Sequence, residues 1–227
     1  MKKYILSLGT VLAFSAVSHA QIEKNVGDFT SLKASNRIKI ELIPATENKV
    51  VLKESQEKSV NITNKNGRLI LKNTVKELVG EEEYSVTVQV YFNDLKQIDA
   101  QGGSYIFSDA VLEQNTLDLS ANLGSTLKLN LKTEKLDASA NTGARLELKG
   151  LASTSVKFSA TAGGQIRAEH LETARNKTTV NSGSTATITA TDFVDVQVIA
   201  GGNIKIYGNP KDVKEKTSIG GTIERVK

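Results

Sequence analysis

The amino-acid sequence predicts an all-β fold: a right-handed parallel β-helix, or solenoid, with coils of about 20 residues and an irregular N-terminal β half. Three observations carry this expectation. A glycine-centred phrase returns seven times, as "QGGSY" (101–105), "LGSTL" (123–127), "TGARL" (142–146), "AGGQI" (162–166), "SGSTA" (182–186), "AGGNI" (200–204) and "IGGTI" (219–223). Its glycines, Gly102, Gly124, Gly143, Gly163, Gly183, Gly201 and Gly220, are spaced by 22, 19, 20, 20, 18 and 19 residues. Apolar and polar residues alternate on both sides of the phrase, the period of a strand with one buried face.

Each repeat reads as strand, glycine corner, strand and loop. Before the glycine stand Leu117, Leu119 and Ala121; Leu136, Ala138 and Ala140; Val156, Phe158 and Ala160; Val194, Val196 and Val198. After it stand Leu127 and Leu129; Leu146 and Leu148; Ile166 and Ala168; Ala186 and Ile188; Ile204 and Ile206. The corner needs a backbone that takes positive φ, or one with no Cβ under the neighbouring coil. The Gly, Ser or Ala that follows keeps it small. A unit this short cannot bury an apolar face alone. Stacked at about 4.8 Å, successive units share one narrow core, and crossovers between parallel strands are overwhelmingly right-handed. The competing fold is an antiparallel sandwich; Asn-Gly hairpin turns are scarce between these strands, which counts against it.

Residues 21–98 are less regular. "RIKIELI" (37–43) alternates through Ile38, Ile40 and Leu42. "KVVLKES" (49–55), "SVNIT" (59–63) and "GRLILK" (67–72) read as further strands, the last opened by an Asn66-Gly67 turn. "YSVTVQVYF" (84–92) places Tyr84, Val86, Val88 and Val90 on one face, and "VGEEE" (79–83) reads as an acidic surface loop. No linker separates the halves. Residues 21–227 read as a single domain, with irregular strands over 21–98 that cap or begin the solenoid and regular repeats over 98–227.

The first twenty residues, "MKKYILSLGTVLAFSAVSHA", read as a signal peptide: two lysines, an apolar run, then Ser18 and Ala20 where a signal peptidase cuts, before Gln21. The apolar run is short for a permanent anchor, and no later segment of the mature chain reaches transmembrane length. The chain has no Cys, hence no lipoprotein anchor and no disulfide despite the expected export. Loss of Lys2 and Lys3 takes Lys+Arg from 29 to 27 against 25 acidic residues, a net charge near +2. With no basic block interleaved with aromatics, no nucleic-acid role is expected.

No cofactor, metal or catalytic residue is selected by the motifs. After the signal, His170 in "AEHLE" is the one histidine; it reads as a loop residue, and a zinc site needs more ligands. The Gly-Gly pairs lack the Lys-Ser/Thr of a phosphate loop and open no helix. No nucleophile elbow and no nine-residue calcium repeat occurs.

The outward positions form columns when the repeats are stacked. Six residues before the glycines stand Asp118, Asp137, Lys157, Lys177, Asp195 and Lys214. Asp118 and Asp137 become vertical neighbours about 4.8 Å apart, a pair suited to glycoside chemistry or a divalent cation; Lys157 on the next coil neutralises them in the plainer reading of an exposed ion-paired column. Beside them run Ser120, Ser139, Ser159 and Thr179, then Asn122, Asn141, Thr161 and Asn181. Such ladders either hydrogen-bond along the axis and protect the sheet, or present repeated donors and acceptors to a repeating ligand. Too few aromatics are in view for a sugar-stacking cleft.

"FTSLKASNRIKIELIPA" (29–45), the Leu95, Ile98, Ala100 segment, the glycine-centred repeats, and "IKIYGNP" (204–210) running into "IGGTI" together resemble the head GIN domain family over roughly residues 29–226. That family is also described as a putative auto-transporter adhesin head and as a domain of unknown function in exported Bacteroidetes proteins. Several repeats carry Gly-Ser, Gly-Ala or Gly-Gly where the family often has Ser-Gly-Ser-Gly. The resemblance implies a β-helical fold and an exported location, in the periplasm, at the outer-membrane surface or outside the cell. The function expected is a non-enzymatic adhesion or binding module of the envelope. Its partner would be a surface glycan or an envelope protein, met through Ser120, Asn122, Ser139, Asn141, Ser159, Thr161, Thr179 and Asn181. The alternatives are a polysaccharide lyase or hydrolase using Asp118 and Asp137, and an envelope scaffold with no ligand.

Overall fold

The computed structural model describes residues 21–75, 84 and 86–226; the expected signal peptide and the acidic stretch at 79–83 lie outside them. The N-terminal half holds β1 (Gln21–Asn25), β2 (Ser31–Ser35), β3 (Ile38–Pro44), β4 (Lys49–Lys53), β5 (Val60–Lys65), β6 (Arg68–Asn73), β7 (Val86–Phe92) and β8 (Gln97–Gln101), with a short 3-10 turn over Glu54–Ser59. The repeats supply β9 (Tyr105–Asn122), β10 (Thr126–Asn141), β11 (Arg145–Thr161), β12 (Gln165–Thr173), β13 (Arg175–Val180), β14 (Thr185–Thr189), β15 (Phe193–Ala200), β16 (Asn203–Tyr207), β17 (Asp212–Ile219) and β18 (Thr222–Arg225). Strands about one repeat apart pair in parallel, making a β-solenoid.

The register puts like on like. Leu127 pairs with Leu146, Leu129 with Leu148, Leu136 with Val156 and Ala140 with Ala160, all buried. Alternation therefore builds one continuous apolar column per inward position. The width is regulated locally: Phe158 lies between Ala138 on one coil and Thr178 on the next, so a large side chain meets small neighbours.

Two expectations change. In the first coils the segment read as a loop is a third paired stretch, where Leu131 pairs with Leu112 and with Gly150, and Thr133 with Gln114 and Ala152, while after β14 and β16 a short loop remains. β9, β10 and β11 run through it unbroken because bulges, at Lys128/Asn130, Thr133/Lys135 and Glu147/Lys149, bend them without ending the ladder. The first corner is also shifted. Ala121 pairs with Ala100, which sets Gly103, rather than Gly102, level with Gly124. Gly103 N–H donates to the Leu123 carbonyl just as Gly124 N–H donates to that of Thr142.

Most corners are two consecutive left-handed residues, the pattern of a type I′ turn. Leu123 and Gly124 have φ of 54° and 71°, and Thr142–Gly143, Ala162–Gly163 and Ser182–Gly183 repeat the pair. Sequence reading credited the glycine alone; the residue before it is also left-handed, at a cost of about 1–2 kcal/mol for a side chain with Cβ. The last two corners are Gly201–Gly202 and Gly220–Gly221. Here a second constraint enters: a Cβ on Gly202 (φ 118°) would lie 2.5 Å from the Ser184 carbonyl oxygen and 2.7 Å from Val180 Cγ1.

The N-terminal half both begins and caps the solenoid. β2 and β3, joined by Asn36–Arg37 (φ 68° and 55°), form a coil of their own. One side of it pairs with β8 and β9, the other with β6 and β7, all in parallel. The outer edges of β6 and β7 are then closed by antiparallel strands: β5 on β6 through the Asn66-Gly67 hairpin, β4 on β7, and β1 on β4. Tyr84 departs from its expected face. The strand begins at Val86, and Tyr84 stacks on Tyr105 instead. Nearly buried Asp99 ties the coils together, with Arg68 Nη2 at 3.3 Å, Lys33 Nζ at 3.8 Å and Gln101 Nε2 donating to it.

Beyond β15 and β16 Val213 and Ile223 still pack on the core, but two inward columns become charged. Glu215 follows Val196 and Arg225 follows Ile206, and the two pair at 2.7 Å across the final described coil. Charges at inward positions of an edge strand discourage further pairing.

Two measurements check this account. Gly124→Ala places its methyl in open space and is expected to cost about 1–2 kcal/mol from positive φ alone; Gly202→Ala adds overlap with Ser184 and is expected to be clearly the more destabilising in urea denaturation. The buried pair Asn176 and Thr178 supplies the second. The Thr178 hydroxyl donates to Asn176 Oδ1 at 2.6 Å, while Asn176 Nδ2 finds no protein partner. Thr178→Val alone should lose about 1 kcal/mol, whereas the N176V/T178V double variant should match or exceed the parent, because both unmatched polar groups leave together.

Candidate functional site

Two outer faces flank the corners. Strand segments entering each corner make the first. Its charged column is Asp118, Asp137, Lys157, Lys177, Asp195 and Lys214, each the register partner of the next. Lys157 Nζ lies 3.3 Å from Asp137 and Lys177 Nζ 3.6 Å from Asp195. Asp118 and Asp137 are exposed on this face. Among the described residues no cluster of three or more His, Cys, Asp or Glu side chains is placed to hold a metal ion.

The uncharged columns stand beside it. Ser120, Ser139, Ser159 and Thr179 are in register, as are Asn122, Asn141 and Thr161. Asn181 follows Val180, the partner of Ala160, and so continues the second column. Their polar groups are largely engaged with one another. Asn141 Nδ2 donates to Asn122 Oδ1 at 3.1 Å, the Thr161 hydroxyl donates to Asn141 Oδ1 at 2.7 Å, and Asn122 Nδ2 donates to Ser120 Oγ at 2.8 Å. A hydrogen-bonded ladder of this kind stiffens the face and leaves each amide with part of its capacity.

Segments leaving each corner make the second face, which sequence reasoning passed over. Its outward columns are Lys39, Tyr105, Thr126, Arg145 and Gln165, and beside them Glu41, Phe107, Lys128, Glu147 and Arg167. Tyr105 and Phe107, two residues apart on β9, stack at 5.4 Å, and Tyr84 stacks on Tyr105 at 5.9 Å. Lys39 Nζ lies 5.9 Å from the Tyr105 ring and 5.4 Å from that of Phe107. The signal was present in the alternation, since Tyr105 and Phe107 occupy outward positions that are Thr126 and Lys128 one coil later. Tyr84 could be placed there only by the fold.

A cleft of about 440 Å³ adjoins the aromatic pair, with Lys128, Glu147, Arg167, Glu169 and His170 along it. His170 lies within β12, opposite Lys149, and not in a loop; the strand continues through it because the ladder with β11 resumes just past the bulge at Glu147/Lys149. It is exposed. Glu169 is the group whose acidity the site changes. Burial raises its pKa, but the Thr187 hydroxyl bond, its own backbone N–H and the nearby positive charges of His170 and Arg167 outweigh that, and the carboxyl ends below its ordinary value.

A depressed carboxylate contributes stability above its unfolded pKa and loses it as pH falls through the folded one. Glu169→Gln should therefore be less stable than the parent at pH 7. The difference should narrow as pH falls through and below the ordinary carboxylate range, as followed by urea denaturation at pH 7 and in acid.

Comparison with known proteins agrees with this architecture. A crystal structure of a putative adhesin from Bacteroides fragilis superposes with a TM-score of 0.82 at 18% identity, covering 91% of this chain and 96% of that one. A putative lipid binding protein from Parabacteroides distasonis gives 0.66 at 15% identity, over 92% and 96%. A putative adhesin from the same species gives 0.60 at 19% identity, over 91% and 96%. At these identities the likeness is one of fold. No curated protein matches the chain. Residues 28–210 match the model of the family described as putative auto-transporter adhesin, head GIN domain, and the chain belongs to that family.

Proposed function

We propose that this protein is an exported, non-enzymatic adhesion or binding module of the cell envelope, working in the periplasm, at the outer-membrane surface or outside the cell, with a glycan or another surface polymer as its ligand. The observation that carries the reading is the in-register stacking of polar residues into straight columns on a flat strand face. A repeating ligand meets the same chemistry at each step along such a face, about every 4.8 Å. The family to which the chain belongs supports an adhesion role. The exposure of Asp118 and Asp137, and the ion pair of Asp137 with Lys157, favour binding over hydrolysis or elimination, which need a carboxylate held in a water-excluding cleft.

A second reading has its own observation. The amide and hydroxyl groups of Asn122, Asn141 and Thr161 bond to one another, as an envelope scaffold with no ligand would require. The two readings separate in a binding screen of the purified protein against envelope polysaccharides and a glycan array, with an N122K/N141K/N181K variant alongside. The module reading expects a bound polymer, and loss of that binding in a variant with unchanged circular dichroism places it on the column. Retained binding moves the site to another face. No binding and no cleavage of any polysaccharide would leave the scaffold.

A further inference from the structure

The face beyond the corners carries an unusual pairing of features. Tyr105 and Phe107 are half-exposed aromatics on an outward strand surface. The outward positions of the following coils are polar: Thr126 and Lys128, Arg145 and Glu147, Gln165 and Arg167. Both rings stay half-exposed although Tyr84 and Lys39 lie against them, and exposed aromatic surface is apolar with a negative π face. The C–H face of a pyranose ring fits such a surface, and its hydroxyls then point at the polar side chains of the next coil.

Charge identifies the kind of sugar. The carboxylates around the rings already have partners. Glu147 has Arg145 at 3.9 Å and Arg167 at 3.7 Å, Glu41 accepts from Gln89 Nε2 at 2.9 Å, and Glu169 accepts from Thr187. The cations are less committed. Among the described residues Lys39 stands over the two rings and makes no ion pair, and Lys128, beside Phe107 in register, makes none either. Arg145, one coil further, holds Glu147 only at long range. Glu41, beside Phe107 in register, and Glu169 hydrogen-bond to neutral side chains and keep their charge, and Asp109 lies at the far edge of the cleft; these carboxylates oppose an anion there. Lys39 and Lys128 therefore bracket the rings with charge that a ligand carboxylate can meet, and Arg145 adds a planar donor suited to bidentate contact.

We propose that Phe107, Tyr105, Lys39, Lys128 and Arg145 form a binding site for an acidic polysaccharide of uronate type, laid across the coils with one sugar on the rings and its carboxylate at the lysines. The proposal rests on the reading of the protein as a surface-polymer module and adds to it a place and a ligand charge. The cleft of about 440 Å³ is within the range of small-ligand sites. The site is separate from the Ser and Asn columns, which lie on the face entering the corners.

The test is titration of the purified protein with polygalacturonate, with neutral dextran and poly-glutamate as comparisons. Variants are F107A, K39E/K128E, and K157E/K177E as a charge control on the other face; circular dichroism reports folding. Polygalacturonate should bind, more weakly as salt rises. Binding should drop at least about tenfold in K39E/K128E and in F107A, and hold in K157E/K177E. Equal binding of poly-glutamate and polygalacturonate, unaffected by F107A, would overturn the sugar site in favour of plain charge attraction. Loss in K157E/K177E but not in K39E/K128E would also overturn it. Absence of polygalacturonate binding overturns the site alone if the glycan screen still finds a ligand, and the binding reading with it if the screen finds none.

Discussion

In-register parallel stacking is the constraint on which the molecule depends. Each backbone ladder joins a residue to its equivalent one coil away, so a side chain is judged by the column it enters. An apolar residue strengthens two neighbouring coils at once, and a misplaced polar one disturbs both. This is why the columns of Leu, Ala and Val are long and why departures come as local pairs. Phe158 is flanked by Ala138 and Thr178, and Asn176 shares its polarity with Thr178. The repeat tolerates changes in coil length because bulges absorb them, as between Lys128 and Asn130.

The corners show how much strain that stacking can hold. Leu123, Thr142, Ala162 and Ser182 are held left-handed, where a chain without a ladder on both sides would relax. The ends need different treatment, since a terminal coil has only one neighbour. At the N-terminal end, antiparallel β1, β4 and β5 cover the open edges. At the other end the inward columns pass to Glu215 and Arg225, which pair with each other across the coil.

The same rule shapes the surface. Because outward residues also stack in columns, charge and polarity appear as stripes and not as scattered points. On one side of the corners the stripes are matched internally, Asn to Asn and Lys to Asp. On the other, β9 interrupts the polar stripes with Tyr105 and Phe107, next to lysines without a carboxylate partner among the described residues. A regular lattice with an aromatic interruption suits recognition, since the lattice supplies rigidity and the interruption supplies selectivity.

The sequence by itself determined the repeat, the inward columns and the face order. Those follow from local alternation and from glycines spaced near one coil length, and the columns of Asp118, Ser120 and Asn122 could be listed before any coordinates. The tertiary structure decided what depends on contacts between distant segments. It shifted the first corner to Gly103, turned the expected loop into a third paired stretch and put His170 in a strand, because the ladder of the adjacent coil extends pairing past what one strand's pattern shows. It also slotted β2 and β3 between coils that come later in the chain, and brought Tyr84 onto Tyr105 and Lys39 over Phe107. Alternation says which way a side chain points along its own strand; only the pairing of strands far apart in sequence says what stands beside it.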